Sequence, residues 1–345
     1  MMDKSVKPRI LLIATGGTIA SQIFEKGLAP GIEASQLVTY IPEIRDRYVI
    51  DAVQVSNIDS TNITPAHWVK IAETVRDRYD DYDGFVVCHG TDTMAYTSAA
   101  LTYMIRGSRK PVVITGSQKP IGENNTDARQ NLIDSIRYAG DPDSRGVVLV
   151  FNGNVIAGTR AKKTFAYSYN AFSSVNYPPL ALIQGDRIIR FINSDASGFG
   201  DRPVFSTELC ESIVILKLIP GTKPDLLEYL FGNYDVIVIE SFGVGGIPDA
   251  LLDVFSRQME KWVEKGKTVV FATQVVNEGS NMEIYEVGRR VKKNFNIIEA
   301  YDMTLEATVT KLMVLKGKYG GDYKKIYREF YTPVNFDILH KECDA

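Results

Sequence analysis

"ILLIATGGTIAS" (residues 10–21) runs five apolar residues directly into Thr15-Gly16-Gly17-Thr18. An unbroken apolar run predicts a strand that is buried on both faces, as in a parallel sheet. The same arrangement, an apolar run followed by a polar loop that contains glycine, recurs along the chain as GFVVC–HGTDT, PVVIT–GSQKPIGENN, GVVLVF–NGNVIAG, DVIVI–ESFGVGG and TVVFA–TQVVNEGS. The repeated pattern predicts a sheet of mostly parallel strands.

Helical patterns lie between these runs. The segment 65–79 begins with Pro65 after Thr64, which is a typical N-cap followed by proline at the first helical position. The segments 126–139 and 250–266 are amphipathic, and the second ends at Gly266. Strands that alternate with helices predict an α/β fold with a doubly wound, mostly parallel sheet.

The alternation stops between about residues 185 and 212, where SDASGFGDRP is rich in Gly, Ser and Asp. A chain of 345 residues is long enough for two domains. We therefore predict an N-terminal catalytic α/β domain at 1–190, a linker at 191–212 and a smaller C-terminal α/β domain at 213–345.

The composition argues against several classes of partner and site, namely nucleic acids, membranes and metals. The net charge is −3, without a basic stripe, so nucleic acid and anionic membranes are poor candidate partners. The first apolar run is shorter than the ~7–15 residues of a signal-peptide core, and no run approaches the ~18 residues of a membrane span, which predicts a cytoplasmic protein. No CxxC spacing or close histidine pair occurs, so we expect no metal; the cysteines are Cys88, Cys210 and Cys343, and the histidines are His67, His89 and His340.

The loop Thr15-Gly16-Gly17-Thr18 has three possible roles: a phosphate cradle, a tight turn, or the place where a hydroxyl reacts. Phosphate binding is disfavoured because neither GxGxxG nor GxxxxGK[ST] occurs in the chain. No GxSxG nucleophile elbow is present either. The residue types alone leave the turn and the reactive hydroxyl open.

The second loop, HGTDT (residues 89–93), places several polar groups at the end of a buried strand. Asp92 could cap the helix that follows, or it could act with the neighbouring threonine hydroxyl. Threonine is a weak nucleophile and needs a nearby base, which a desolvated lysine can supply. Lys162 and Lys163, after the fourth apolar run, are the candidates.

The order TGGTIA, HGTDT, TGSQ and Lys163-Thr164, together with DMTLEATVTKL at 302–312, resembles the bacterial-type L-asparaginase family. The likeness runs nearly end to end, and the length is similar to that of the cytosolic, type I branch. The resemblance implies an asparaginase/glutaminase-like fold and hydrolysis of the side-chain amide of L-asparagine to L-aspartate and ammonia. It also implies no cofactor and a homodimer or homotetramer.

The catalytic roles follow from that resemblance. The nucleophile maps to Thr18, which would form an acyl-enzyme. A supporting set of a second threonine, an aspartate and a lysine maps to Thr91, Asp92 and Lys163. On this interpretation the first loop is the place where a hydroxyl reacts.

The substrate-binding roles also follow from the resemblance. Ser60 and Thr61, in NIDSTNIT, match the pair that binds the α-carboxylate of the substrate. Asp92 would bind the α-ammonium group through a charge-assisted hydrogen bond. Backbone amides near Thr91 and Gln118 would stabilise the oxyanion.

The sequence departs from the family at the loop after TGGT, where Leu28 lies near the usual position of a tyrosine. The acidic residue that comes from a neighbouring protomer in the secreted branch matches either Glu278 or Glu283. The alternatives are a mixed glutaminase-asparaginase, the asparaginase-like subunit of a tRNA-dependent amidotransferase, and a non-catalytic asparagine sensor. The amidotransferase subunit has an N-terminal extension, whereas nine residues precede Ile10 here. A sensor would not need a nucleophile.

Overall fold

The computed structural model describes residues 7–24, 27–192, 202–263 and 265–339. The chain forms two compact units, Met1–Thr207 and Glu208–Ala345. Residues 193–201 of the predicted linker lie outside the described residues. The proposed bounds 191–212 for the linker therefore remain a prediction.

The strands of the first unit are β1 Arg9–Gly16, β2 Ser21–Phe24, β3 Gly27–Pro30, β4 Val49–Ile58, β5 Gly84–Cys88, β6 Ile105–Arg106, β7 Val112–Thr115, β8 Val147–Phe151, β9 Asn154–Ala157, β10 Ala161–Lys163, β11 Phe172–Ser174, β12 Ala181–Gln184, β13 Arg187–Arg190 and β14 Val204–Phe205. Its α-helices are α1 Ala34–Leu37, α2 Pro65–Asp77, α3 Met94–Met104 and α4 Ala128–Ala139.

The main sheet of the first unit has the strand order β13-β12-β9-β8-β7-β5-β1-β4. Strands β4, β1, β5, β7 and β8 are parallel, and β9, β12 and β13 extend the sheet in antiparallel pairs. Every residue of β5, β7 and β8 is buried, as the unbroken apolar runs predict. The predicted α/β fold class is confirmed.

The carboxyl ends of the adjacent strands β7, β5, β1 and β4 lie at one edge of this sheet. In open α/β sheets, ligands bind beyond this edge. The loops that leave these four strands carry Gly116–Gln118, His89–Thr93, Gly17–Thr18 and Asp59–Thr61. The parallel topology therefore gathers the predicted site loops.

The second unit contains the strands β15 Ile213–Lys217, β16 Val236–Ser241, β17 Thr268–Thr273 and β18 Ile298–Glu299, and the helices α5 Pro224–Asn233, α6 Asp249–Val263, α7 Glu286–Asn294, α8 Leu305–Tyr319 and α9 Tyr323–Tyr331. Its four strands form a parallel sheet in the order β15-β16-β17-β18. Phe231 packs edge-on against Trp262 with ring centroids 4.4 Å apart, in a core that also contains Phe255 and Phe271.

The three predicted helices are present, with ends that differ from the predicted ones by at most three residues. Helix α2 begins at Pro65 as predicted, with Thr64 and His67 forming a capping box. Helix α4 begins two residues later than expected, at Ala128, whose N–H donates to the Thr126 hydroxyl. Side-chain bonds of this kind compete with the helix at its first turn.

Candidate active site

The loop between β1 and Thr18 is shaped by close packing of glycine backbones. Gly17 has φ +77° and ψ −178°, and an added Cβ would lie 2.4 Å from the backbone nitrogen of Gly90. Thr18 begins a short 3₁₀ turn, Thr18–Ala20, and is half-buried. Its side chain forms no hydrogen bond with any described residue, so the hydroxyl is available to a substrate.

Ser60 and Thr61 differ in what their hydroxyls do. Ser60 is buried, and an added Cβ on Gly90 would lie 2.6 Å from Ser60 Oγ. Thr61 is exposed, and both its N–H and its hydroxyl donate to Asp59 Oδ1, at 2.8 and 2.9 Å. A bound carboxylate would have to compete with Asp59 for the Thr61 donors, whereas the Ser60 hydroxyl donates to no described residue.

Lys163 lies beside both Thr91 and Asp92. Its Nζ donates to Thr91 Oγ1 at 2.8 Å and to Asp92 Oδ1 at 2.6 Å. Thr91 is buried, whereas the side chain of Asp92 is 58% exposed. An ion pair with one partner this exposed adds little to stability.

The alternative role of Asp92 as a helix cap is wrong. Thr93 occupies the N-cap position of α3, without a capping bond from its side chain. The hydroxyl of Thr93 instead donates to the carbonyl of Ser60. The Asp92 carboxylate turns towards Lys163, where charge complementarity favours it.

Gln118 connects the Thr91 hydroxyl to the segment after β10. Its Oε1 accepts from Thr91 Oγ1 at 3.3 Å, and its Nε2 donates to the carbonyls of Ala166 and Ser168, each at 3.1 Å. The backbone N–H of Gln118 donates to the buried Asp127 carboxylate. The Gln118 amide N–H is thus already occupied, and the predicted oxyanion role near Gln118 would require another donor.

Two titratable groups next to the site are held uncharged by burial. Burial raises the pKa of Cys88 to about 12, so its thiol stays protonated and is a poor nucleophile. Burial lowers the pKa of His89 to about 4, and a hydrogen bond to the Gly90 carbonyl only partly offsets this. At neutral pH neither Cys88 nor His89 therefore adds a charge beside the HGTDT loop.

Within the described residues, no group of three or more His, Cys, Asp or Glu side chains could hold a metal ion. His340 and Cys343 lie outside the described residues. The expectation of a site without metal or cofactor remains a prediction.

Two positions bear on the departures from the family pattern: Leu28, and the acidic residue that matches either Glu278 or Glu283. The backbone of Leu28 pairs with Ile23 in the hairpin β2–β3, and its side chain lies outside the described part of the chain. Glu283 forms a 3.1 Å ion pair with Lys292 of its own chain, and Glu278 has φ +76°. The choice between Glu278 and Glu283 remains a prediction.

Three supporting residues were not predicted. Asp59 binds the donors of Thr61, Asp127 binds the amide of Gln118, and His89 binds the carbonyl of Gly90. Asp59 and His89 belong to the motifs that the sequence analysis singled out, but nothing in those motifs assigns them these contacts. For Asp127, the only sequence feature that could have suggested this contact was its position near the start of a predicted helix.

Comparison with known families defines the class of protein. Residues 9–195 match the family "Asparaginase, N-terminal", and residues 212–330 match "Glutaminase/Asparaginase C-terminal domain". The chain is an enzyme of the amidohydrolase class. It belongs to the asparaginase family, as the resemblance of its motifs predicts.

Relatives match over most of their length. An L-asparaginase from Thermococcus kodakarensis is 40% identical over 88% of this chain and 92% of its own. L-asparaginase 1 of Escherichia coli K12 is 34% identical over 90% of this chain and 92% of its own. A subunit of the glutamyl-tRNA(Gln) amidotransferase from Pyrococcus abyssi is 34% identical over 90% of this chain and 72% of its own, and represents a related branch.

Solved structures agree with this assignment. The thermostable L-asparaginase of T. kodakarensis superposes with a TM-score of 0.89 at 37% identity, covering 96% of this chain and all of that one. A probable cytoplasmic L-asparaginase from Campylobacter jejuni superposes with a TM-score of 0.80 at 26% identity, covering 94% and 99%. Among the described residues, no helix has the length and apolar character required to cross a membrane.

Proposed function

We propose that this enzyme is an L-asparaginase that hydrolyses the side-chain amide of L-asparagine to L-aspartate and ammonia. The observation that carries the proposal is the contact of Lys163 Nζ with both Thr91 Oγ1 and Asp92 Oδ1, at 2.8 and 2.6 Å. Thr91 and Asp92 lie on the loop that begins at Gly90, and Gly90 packs against Gly17, next to Thr18. The site thus combines the Thr18 hydroxyl, which has no partner among the described residues, the Thr91 hydroxyl, which is hydrogen-bonded to Lys163, and the Asp92 carboxylate.

In the first step, the Thr18 hydroxyl attacks the side-chain amide carbon. A bond forms between Thr18 Oγ and that carbon, and the amide oxygen gains negative charge that backbone N–H groups stabilise. The carbon–nitrogen bond then breaks, and the nitrogen takes up the proton that the Thr18 hydroxyl lost and leaves as ammonia. The product of this step is a β-aspartyl ester on Thr18.

In the second step, water hydrolyses the ester. Thr91 and Lys163 transfer the proton of the attacking water, and the ester oxygen returns to Thr18 as a hydroxyl. Lys163 Nζ donates to Asp92 Oδ1, the carboxylate that would also bind the substrate's α-ammonium group. A bound α-ammonium group would therefore compete with Lys163 for this carboxylate.

The same groups set the substrate preference. Ser60 and Thr61 would bind the α-carboxylate and Asp92 the α-ammonium, so the distance from these anchors to Thr18 selects the length of the side chain. One methylene is worth only about 1–3 kcal/mol in a pocket, so we expect asparagine to be preferred over glutamine by a modest ratio. A mixed glutaminase-asparaginase would show no such preference.

Assembly and location are proposed on the family resemblance. We expect a homodimer or homotetramer in the cytoplasm, acting on free asparagine without nucleic acid or membrane. The similarity to a probable cytoplasmic L-asparaginase supports the location. The similarity to an amidotransferase subunit suggests a second candidate role, as a component of such an enzyme. This role can be tested, because its activity would depend on a partner protein and a tRNA.

The test is ammonia release by the purified chain, with asparagine or glutamine, without added cofactor and after exhaustive chelation. We expect turnover of asparagine that chelation does not reduce.

Intact-protein mass after an acid quench should show one aspartyl adduct on Thr91→Val, because loss of a proton shuttle costs ~10²–10⁴ in rate and slows hydrolysis of the ester. Thr18→Ala, which lacks the attacking oxygen, should show none.

Peptide mapping assigns the adduct to a residue and serves as the control for the mass measurement. An adduct on Thr91, or one that persists in Thr18→Ala, would reverse the roles of the two threonines. Tight binding of asparagine without ammonia release would identify a sensor. Activity that appears only with a partner protein and tRNA would identify a component of an amidotransferase.

A further inference from the structure

A buried line of hydrogen bonds runs from Trp68 to the backbone of the HGTDT loop. Trp68 Nε1 donates to Thr97 Oγ1 at 2.9 Å, Thr97 Oγ1 lies 2.9 Å from His89 Nε2, and His89 Nδ1 lies 2.7 Å from the carbonyl oxygen of Gly90. Thr97 and His89 are fully buried. The proposed reaction assigns no step to Trp68, Thr97 or His89.

The direction of each hydrogen bond follows from the chemistry of the groups. The Gly90 carbonyl can only accept, so His89 Nδ1 carries the proton. Because burial keeps the ring neutral at physiological pH, Nε2 has no proton and accepts from the Thr97 hydroxyl. The Trp68 N–H can only donate, and the Thr97 oxygen accepts it. A buried network that is fully satisfied specifies one arrangement of its members.

The last bond of this line sets the orientation of the peptide between Gly90 and Thr91. In a trans peptide the C=O and the following N–H point in opposite directions within one plane. Since the Gly90 carbonyl faces the buried His89, the N–H of Thr91 faces away from it, and this N–H donates to no described residue. The Cα of Gly90, where this peptide begins, packs against Gly17, next to Thr18, and an added Cβ on Gly90 would lie 2.6 Å from Ser60 Oγ.

We propose that His89, Thr97 and Trp68 are positioning residues that hold the Gly90–Thr91 peptide so that the Thr91 N–H faces the oxyanion formed when Thr18 attacks. The inference rests on the proposed function and adds residues to its site. An N–H group stabilises developing charge effectively because its direction is set before the reaction. The buried hydrogen-bond line supplies that direction from the side of the loop away from the substrate.

Three variants on α3 test the role of the line. Thr97→Val keeps the shape of the side chain and removes the hydroxyl, and Thr97→Ser keeps the hydroxyl. Thr102→Val is the matched control, because Thr102 is a buried threonine of the same helix whose hydroxyl donates to the Ser98 carbonyl. With asparagine, we expect Thr97→Val to lower kcat about 10- to 100-fold with little change in KM. Thr97→Ser and Thr102→Val should keep kcat close to that of the wild type.

A second measurement tests the line without relying on activity. The chain has three histidines, so ¹⁵N-histidine NMR yields three imidazoles, which His67→Gln and His340→Gln assign. We expect His89 to be neutral and protonated on Nδ1 at pH 7 in the wild type. If Thr97→Val does not fold, Trp68→Phe removes the first donor of the line and should also lower kcat relative to Thr102→Val.

The outcomes separate this inference from the proposed function. A wild-type chain that releases no ammonia would overturn the proposed function, and the oxyanion role with it, while NMR would still report on the hydrogen-bond line. An active wild type in which Thr97→Val matches Thr102→Val would overturn the positioning role alone. A His89 ring protonated on Nε2 would also overturn it, because the Gly90 carbonyl would then have lost its donor.

Discussion

Replacing Gly17 by alanine tests how strictly the backbone before Thr18 is positioned. The φ and ψ of Gly17, +77° and −178°, lie in a region that residues other than glycine rarely adopt. The added Cβ would lie 2.4 Å from the nitrogen and 2.5 Å from the Cα of Gly90. Both neighbours are backbone atoms, so no flexible side chain can move aside.

The structure sets the size of the expected effect. Ordinary carbon contacts begin at about 3.5 Å, so one of the two loops must shift by about 1 Å. A displacement of about 1 Å between reacting groups costs about 10²-fold in rate, which is the loss of kcat that we expect for Gly17→Ala. The backbone strain adds about 1–3 kcal/mol of destabilisation.

A second glycine serves as a control, because alanine there would add backbone strain without displacing a neighbouring loop. Gly185, in the turn between β12 and β13, has φ +58°, and an added Cβ meets no atom within 4 Å. Gly185→Ala should therefore lose about 1 kcal/mol of unfolding free energy and keep its kcat. The assays are steady-state ammonia release from asparagine and urea unfolding. If Gly17→Ala folds and keeps the kcat of Gly185→Ala, close packing of Gly17 does not position the nucleophile.

Two further predictions concern single side chains. Lys163→Met should lower kcat by about 10²–10⁴, whereas Lys162→Met should leave it nearly unchanged; equal losses in ammonia release would contradict the assignment of Lys163. Asp134 lies on α4 with its side chain 2% exposed, and burial raises its pKa from 3.8 to about 6. The folded state therefore binds the proton more tightly than the unfolded state, and stability falls as the pH rises from about 4 through 6, by about 3 kcal/mol in total for a shift of about 2 pKa units. Asp134→Asn should remove this dependence in urea unfolding at pH 4 and pH 7, and parallel profiles of the two proteins would refute it.

The strand pattern and part of the helix pattern could be predicted from the sequence because both depend on neighbouring residues. Unbroken apolar runs such as 84–88 and 147–151 are buried on both faces wherever they pair, so they predict parallel strands. The start of α2 at Pro65 depends on a local cap. The start of α4 at Ala128 was missed by two residues, because the Thr126 hydroxyl accepts the Ala128 N–H.

The gathering of the site loops was also predictable, since the carboxyl ends of neighbouring parallel strands meet at one edge. The motifs TGGT and HGTDT follow β1 and β5, which pair directly. The residue types alone left Lys162 and Lys163 as equal candidates for the base. The family resemblance selected Lys163, and the structure brings its Nζ to Thr91.

Tertiary structure alone decided which polar partners meet. Asp92 could have capped α3, but it pairs with Lys163, 71 residues further along the chain. The bond of Trp68 to Thr97 spans 29 residues and connects two helices. Apolar patterns act through burial, which is non-directional and tolerant of small shifts, so the sequence by itself determined the buried parallel strands, three of the helices and the edge where the loops gather. Hydrogen bonds depend on tenths of an ångström and on angle, and those distances exist only after the strands have paired and the helices have packed.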